Sequence, residues 1–282
     1  MMNLDVKGKI LITGGAGFLA SHVKQLLDAT NHDVVALLNP GSSKHGYKTA
    51  YFSIEELLKC EESFDAIFHL ASYIPYGKMD KPDVKLIDNN ISLTVKLVRA
   101  YPDARMVYSS SVAVYGKPLS GKINVSSPFM NPDLYGLSKL AGEAIVKNIR
   151  SYSIIRFSSI IGPSMKVNSF VPAIIKQALQ TKVIRILGTG ERRQNYIDVR
   201  DAAALCMTNA NASPSNVMLG VGETSYSNKE VAEIVAMFTD AKINFTSTDS
   251  SPSYVYDQES AYEVLKFQPR FTLRETINDM IA

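Results

Sequence analysis

Tyr135 and Lys139 stand four residues apart in Y-G-L-S-K, a spacing that puts both on one face of a helix. An ammonium beside a phenol favours the phenolate and draws its pKa down from about 10. That would make Tyr135 usable as a general acid or base near neutral pH, and Lys139 can also reach a ribose hydroxyl. Upstream, Tyr108–Gly116 reads Y-S-S-S-V-A-V-Y-G, and a strand ending there would present the hydroxyls of Ser109, Ser110 and Ser111. Near the start, Lys9–Ala20 reads K-I-L-I-T-G-G-A-G-F-L-A. Ile10, Leu11 and Ile12 make a short apolar run suited to a strand buried on both faces. After the glycines, Val23, Leu26 and Leu27 fall at helical spacing. In Gly14-x-x-Gly17-x-x-Ala20, Gly14 allows a tight turn and Gly17 a close backbone approach to a pyrophosphate. Ala20 is small enough for the helix to lie against the strand. The helix N-terminus then turns its free N–H groups and positive dipole end to the phosphates.

Each pattern has a plain alternative: a solvated helix face, a polar strand end bonding its own backbone, an ordinary strand-to-helix turn. A glycine turn after the first strand, hydroxyls at the end of a later one, and Y-x-x-x-K 24 residues beyond Ser111 are together far more specific than any one of them.

The elements that must position these residues follow in order. His32–Leu38 reads as a second strand and 39–43 as a loop. Ser53-Ile54-Glu55-Glu56 has the form of a capping box opening a short helix through Lys59. Phe64–Leu70, Arg105–Ser109 and Ser153–Phe157 read as further strands, with helices over Lys85–Ala100 and Pro132–Ile149. This alternation predicts a parallel sheet covered by helices on both faces, with right-handed crossovers. Past Gly162-Pro163 the rhythm changes. Helices are expected at Phe170–Leu179, Asp201–Asn209, Ser227–Thr239, Gln258–Lys266 and Leu273–Ile281, and strands at Val183–Leu187 and Tyr196–Val199. The expected division is a dinucleotide-binding part, residues 1–162 with 195–220, and a smaller α+β substrate part, residues 163–194 with 221–282. The second is interleaved with the first and closes over the carboxyl ends of its strands, where open parallel sheets bind ligands.

Composition narrows the class. The 282 residues suffice for a sizeable core, and 46% hydrophobic with 20% charged residues is ordinary for a globular protein. A net charge of +3 is too small to argue for nucleic acid or an acidic membrane. Cys60 and Cys206 read as reduced, buried small residues. The four histidines show no ligand spacing, so no metal is expected. No signal peptide and no apolar run of about 18 residues is evident, and the expected location is the cytoplasm.

On these motifs the sequence resembles the extended short-chain dehydrogenase/reductases, of the NAD-dependent epimerase/dehydratase type acting on nucleotide sugars. The likeness runs through T-G-G-A-G-F-L-A at Thr13–Ala20, F-H-L-A-S at Phe68–Ser72, Asn90, S-S-S-V-A-V-Y-G and Y-G-L-S-K. It continues in R-F-S-S-I-I-G-P at Arg156–Pro163 and G-T-G-E-R-R-Q-N-Y-I-D-V-R-D at Gly188–Asp201. It implies a Rossmann-type doubly wound parallel sheet with a smaller C-terminal α+β part, and a catalytic trio of Ser111, Tyr135 and Lys139. Ser111 would hold the reacting sugar oxygen. Tyr135 would exchange its proton while hydride moves between the sugar and the nicotinamide. Lys139 would bind the nicotinamide ribose and tune Tyr135. The resemblance implies further cofactor contacts from Gly14, Gly17, Phe18, Leu19, Asn39, Leu70, Ala71, Ser72, Asn90, Ser109 and Phe157. On the substrate side it points to Ser111, Ser159, Arg192 and Arg193. Relatives often pair through two helices, here Lys85–Ala100 and Pro132–Ile149, so a homodimer is expected.

The departures from the family are informative. Its dehydratases carry an Asp-Glu pair where Val112 and Ala113 stand here, and neither of these can move a proton. Its NAD-preferring members end the second strand in a ribose-binding acid, where this chain has Leu38 followed by Asn39. Losing that carboxylate removes a barrier to a 2′-phosphate, and Ser42, Ser43 and Lys44 are at hand, which tilts the reading from NAD towards NADP. The family's substrate-side Asn corresponds to Ser159 and its diphosphate-binding Arg to Gln194, with Arg192 and Arg193 beside it to supply the charge. Three functions fit: a nucleotide-sugar epimerase, an NADPH-dependent 4-keto-sugar or other carbonyl reductase using the same trio, or a non-catalytic dinucleotide sensor on the same fold.

Overall fold

The computed structural model describes residues 8–30, 32–75, 83–117, 121–166, 169–257, 263 and 265–282. Its spine is a seven-stranded parallel sheet in the order β10-β6-β5-β4-β1-β2-β3. The strands are β1 (Lys9–Thr13), β2 (Asp33–Leu37), β3 (Thr49–Tyr51), β4 (Ala66–His69), β5 (Arg105–Ser111), β6 (Tyr152–Phe157) and β10 (Asn216–Gly220). This is the doubly wound, Rossmann-type arrangement expected. The chain moves outward from β1 to β3 on one side, then returns to β4 on the other. The reversal opens a crevice at the carboxyl ends of β1 and β4, where such sheets take ligands.

Alternation along β1 sorts its residues between two cores. Ile10 and Ile12 face α1 (Phe18–Ala29) and α7 (Val199–Ala210), in a cluster with Val23, Leu27, Ala202 and the buried Cys206. Leu11 joins the opposite cluster with Val35, Ile67, Met106, Leu97 and Val146, the last two from α4 (Leu93–Ala100) and α5 (Leu134–Val146). A third core is built from α6 (Phe170–Thr181), β8 (Val183–Leu187), α8 (Asn228–Thr239) and α9 (Leu273–Ile281), through Val171, Ile174, Ile184, Val231, Val235 and Ile277. β12 (Lys242–Thr246) pairs with β8. β11 (Ser225–Ser227), β9 (Arg193–Asp198) and β7 (Ser159–Ile161) form a three-stranded sheet. α8 and α9 each begin with a complete capping box, Ser227 with Glu230 and Thr272 with Glu275.

Several expectations need correction. At α2 (Ile54–Lys59), Ser53 caps Glu56 N as expected, but the Glu56 carboxylate accepts from Phe52 N rather than from the cap residue. Cys60 is exposed: it is the C-cap of this six-residue helix, whose buried side chains are Ile54 and Leu57. The helix expected over Lys85–Ala100 runs from Val84 as α3 (Val84–Leu86), a π-helical turn Ile87–Ser92, and α4. Asp201–Asn209 extends to Val199–Ala210, and its cap Asp198 ends β9. The helix expected over Gln258–Lys266 falls mostly outside the described residues. No helix among them is long and apolar enough to cross a membrane.

Candidate active site

Two glycines decide how closely the reactive helix α5 lies against β5. An ideal Cβ on Gly136 would stand 2.4 Å from the carbonyl oxygen of Ala113, and one on Gly142 would stand 2.1 Å from the Tyr108 hydroxyl. With neither present, α5 packs close enough for the buried Lys139 to donate from Nζ to the Ser109 carbonyl at 2.8 Å. The same ammonium lies 5.1 Å from the Tyr108 ring centroid and 6.0 Å from that of Tyr135. Burial pulls the Lys139 ammonium down to about 7, with the Glu143 carboxylate one turn along the helix opposing that fall. Asp133 caps α5 by accepting from Gly136 N, which fixes the turn carrying Tyr135.

The three serines at the end of β5 have separate fates. Ser109 lends Lys139 its carbonyl. Ser110 is buried in the cavity wall and donates to Glu143 Oε1 at 2.6 Å. Ser111 ends the strand and caps the 3-10 turn Val112–Tyr115 by accepting from Ala113 N at 3.1 Å. A hydroxyl has one proton and two lone pairs, so that bond leaves the Ser111 O–H to be offered to a ligand oxygen.

These groups line one cavity of about 590 Å³ at the carboxyl end of the sheet, within the range of small-molecule sites. At one end are Gly14, Gly17, Phe18, Leu19, Leu70 and Ser72. The middle is Ser109, Ser110, Ser111, Tyr135, Lys139, Val112 and Ala113. The far end holds Phe157, Ser159, Ile160, Met165, Arg192, Gln194, Asn195, Tyr254 and Tyr256. Among the described residues no carboxylate side chain lines the cavity, and Lys139 and Arg192 are the charged ones that do.

The glycine end fits a dinucleotide. Gly17 N-caps α1 with no side-chain cap and no acid in the first turn. A Cβ on Gly17 would touch only Gly14 O, at 2.9 Å, and would otherwise fill the cradle where a pyrophosphate has to approach. Gly14 has φ +67°, a left-handed conformation, and lies against the backbone of Ala71. Thr13 Oγ1 accepts from Ala71 N, and its hydroxyl meets His69 Nδ1 at 2.8 Å. His69 Nε2 meets Thr94 Oγ1, whose own proton goes to Asn90 O. Thr94 must therefore accept, which assigns the ring proton to Nε2. Burial first, and Lys139 second, hold His69 neutral, down to about 3.

Thirteen of the residues singled out from sequence line the cavity, and four do not. Ala71 lies beneath the Gly14 turn, bonded to Thr13. Asn39 is exposed beyond the end of β2. Asn90 is buried, with its amide taken up by Tyr73 N, Tyr73 O and Ser138 Oγ; it pins the loop after β4 and α5 to each other. Arg193 opens β9. Its neighbours Arg192 and Gln194 face the cavity, whereas Arg193 donates to Ser225 O and lies 3.6 Å from Glu230. Sequence reasoning missed Tyr254 and Tyr256. Their Y-x-Y alternation sets both on one side of an extended segment, and their rings stack 6.4 Å apart. Tyr254 reaches across the cavity to Gly116 O at 3.3 Å.

The fold agrees with what is found in known proteins. A family model described as "NAD dependent epimerase/dehydratase family" matches residues 10–221. A UDP-glucose 4-epimerase of Lactobacillus helveticus is 26% identical, over 97% of this chain and 95% of its own length. A dTDP-D-glucose 4,6-dehydratase of Dictyostelium discoideum is 30% identical over 68% of this chain and 53% of its own. Among solved structures, MoeE5 in complex with UDP-glucose and NAD superposes with a TM-score of 0.86 at 25% identity, covering 97% of both chains. With the model spanning three quarters of its length, the chain belongs to the NAD-dependent epimerase/dehydratase family, and is an enzyme of the extended short-chain dehydrogenase/reductase type.

Proposed function

We propose that this protein is an NAD(P)-dependent nucleotide-sugar epimerase in which Ser111, Tyr135 and Lys139 are the working groups. The observation that carries the reading is one continuous cavity with a phosphate-binding glycine turn at one end, Tyr135 in the middle and Arg192 at the other. Bound NAD(P) supplies the acceptor and donor of hydride. The chain's own part is to orient and to move one proton. Ser111 donates to the reacting sugar oxygen. Tyr135 takes that oxygen's proton and returns it. Lys139, held to the Ser109 carbonyl, has its remaining protons for the cofactor ribose and the phenol. Val112 and Ala113 face the same space and move no proton, so elimination lacks its second acid–base group.

At the far end Arg192 is held through Nε by the Pro252 carbonyl, and its guanidinium suits the oxygens of a diphosphate. Relatives named as UDP-glucose 4-epimerases support a nucleotide sugar as substrate. On the cofactor side, Leu38 is buried against Gly15 and Tyr47 while Asn39 is exposed. With no acid at that strand end, tighter binding of NADP than NAD is the expected order; equal affinities or tighter NAD would end this part of the proposal. We also propose the two-part division drawn from sequence, supported by the separate core around α6, α8 and α9. A homodimer is supported by exposed Val84, Ile87, Leu134 and Leu137 on and beside α3 and α5, and sizing in solution checks it.

The deciding experiment incubates the purified protein with UDP-glucose or UDP-galactose and a catalytic amount of NAD(P). Interconversion with no net change in cofactor supports the epimerase. Consumption of NADPH in proportion to a supplied keto sugar makes it a reductase. Cofactor binding with neither reaction leaves a sensor.

A further inference from the structure

Behind the cavity wall lies a buried ion pair to which the reaction described above gives no role. Glu143 and Arg156 are 2% and 3% exposed. Arg156 donates from Nε to Glu143 Oε1 at 2.9 Å and from Nη2 to Oε2 at 2.7 Å, a two-point grip. Oε1 also accepts from Ser110, and Arg156 Nη1 donates to the Tyr115 hydroxyl at 2.8 Å and the Val125 carbonyl at 3.0 Å. We propose that Glu143 and Arg156 are positioning residues for the reaction, locking the strand end that carries Ser111 to the helix that carries Tyr135 and Lys139.

The connections make this specific. Ser110, gripped by Glu143, is the covalent neighbour of Ser111 and the register partner of Arg156 across β5 and β6. Tyr115, gripped by Arg156, closes the 3-10 turn that Ser111 caps. Glu143 stands one helical turn from Lys139 on α5. The pair therefore joins both sides of the cavity floor from beneath, without touching a ligand.

Stability alone does not call for such a pair. Desolvating two charges is expensive, and well-packed apolar side chains in their place are often neutral or stabilising. What apolar residues do not supply is a negative charge near Lys139. The groups around that ammonium are Tyr135 and Glu143 on α5, Tyr108 on β5 and His69 on β4; Arg156 on β6 lies beyond Glu143. His69 is neutral, and burial pushes the Tyr108 phenol up and keeps it protonated. Among the described residues Glu143 is the group of opposite sign that holds the proton on Lys139 against burial.

The proposal takes the Ser111–Tyr135–Lys139 assignment as its premise, so its test includes a reading that needs no turnover. The variant is Glu143→Met with Arg156→Met, which removes both charges and keeps the interior filled. Lysines carbon-labelled at Cε are followed by NMR against pH, with Lys139 identified by its loss in Lys139→Arg. The double variant is expected to fold and to bind NAD. Its Lys139 resonance should titrate about one pH unit lower, a tenfold weaker hold on the proton. Turnover of UDP-galactose should fall about tenfold near neutral pH, with the alkaline limb of its pH profile displaced downward. A folded double variant with an unmoved Lys139 titration and an unmoved pH profile overturns the proposal. Should it not fold, Glu143→Gln carries the same titration: a lowered Lys139 midpoint supports the pair's role and an unmoved one overturns it. Absence of any UDP-sugar turnover in the unmodified protein would count against the epimerase reading alone, since the Lys139 titration still judges the pair.

Discussion

Adding a single methyl group at Gly136 tests whether the reactive groups depend on the closeness of α5. Gly136 follows Tyr135 and lies in the helix, outside the left-handed region, so alanine meets no backbone strain there. Its Cβ would sit 2.4 Å from Ala113 O, 2.9 Å from Pro132 Cβ and 3.0 Å from Ala113 C, where ordinary contact begins at 3.4 Å. The closest neighbour is backbone that cannot rotate aside, so about 1 Å must open between α5 and the 3-10 turn. That turn is capped by Ser111 and the helix carries Tyr135, so the gap separates the two groups proposed to share one substrate oxygen. A displacement of this size costs about 10²-fold in rate. Overpacking costs about 1–3 kcal/mol, offset by about 1 kcal/mol because alanine is the better helix former; a net loss of about 0–2 kcal/mol leaves the protein folded. Thermal unfolding, calorimetric NAD binding and UDP-galactose turnover are the three measurements. A Gly136→Ala protein with native turnover would refute the reasoning, because α5 could then move without consequence for the chemistry.

Other outcomes follow from the same geometry. Tyr135→Phe should bind NAD normally and lose about 10²–10⁴-fold in turnover; unchanged turnover would remove Tyr135 from the chemistry. Arg192→Ala should raise KM for a UDP-sugar by about 10–100-fold, the loss of one charge-assisted contact of about 1.5–3 kcal/mol. Arg193→Ala should leave KM alone, since that residue turns to a half-exposed partner, Glu230; an equal effect of both would show that Arg193 also reaches the substrate. His69 has its pKa depressed to about 3 by burial and Lys139, against about 6.5 when unfolded. The unfolded chain then binds the extra proton between those values. Stability from this group is thus present above pH ~6.5 and falls by up to about 1.4 kcal/mol per unit as pH drops towards 3. Denaturant midpoints at neutral and acid pH should show this slope, and His69→Gln should flatten it.

How much of this was legible in the sequence depends on the range of the forces involved. β1 and β4 are short apolar runs buried on both faces, and β5 and β6 have apolar middles, Met106–Tyr108 and Ile154–Ile155, that mark them. β3, β7 and β11 have three residues each, too few to show a period, and their pairing is decided by neighbours far along the chain. The Y-x-x-x-K spacing is a local property of a helix, so Tyr135 and Lys139 were readable; the depth at which Lys139 is buried was not, because Gly142 and Tyr108 set it from two elements. Arg192 and Arg193 are alike in sequence and are separated by partners far along the chain, the Pro252 carbonyl for Arg192 and the Ser225 carbonyl and Glu230 for Arg193. Tyr254 and Tyr256 reach the cavity from well over a hundred residues beyond Tyr135, a contact no local pattern encodes.

The cavity also explains why so few residues need to be ionisable. Among the described residues its lining charges are both cations, Lys139 near the middle and Arg192 at the far end, with the N-terminal N–H groups of α1 adding positive potential at the glycine end. Such a surface draws a ligand that is anionic over its length and leaves a nearly neutral gap around Tyr135 and Ser111. A carboxylate in that gap would lower the local potential that both phosphate ends require and would offer a competing proton acceptor. Val112 and Ala113 are therefore positive features of this cavity: by being inert they would confine the proposed proton traffic to Tyr135, and among the described residues they leave Glu143, one layer deeper and sealed by Arg156, as the negative charge that acts on Lys139 without touching the substrate.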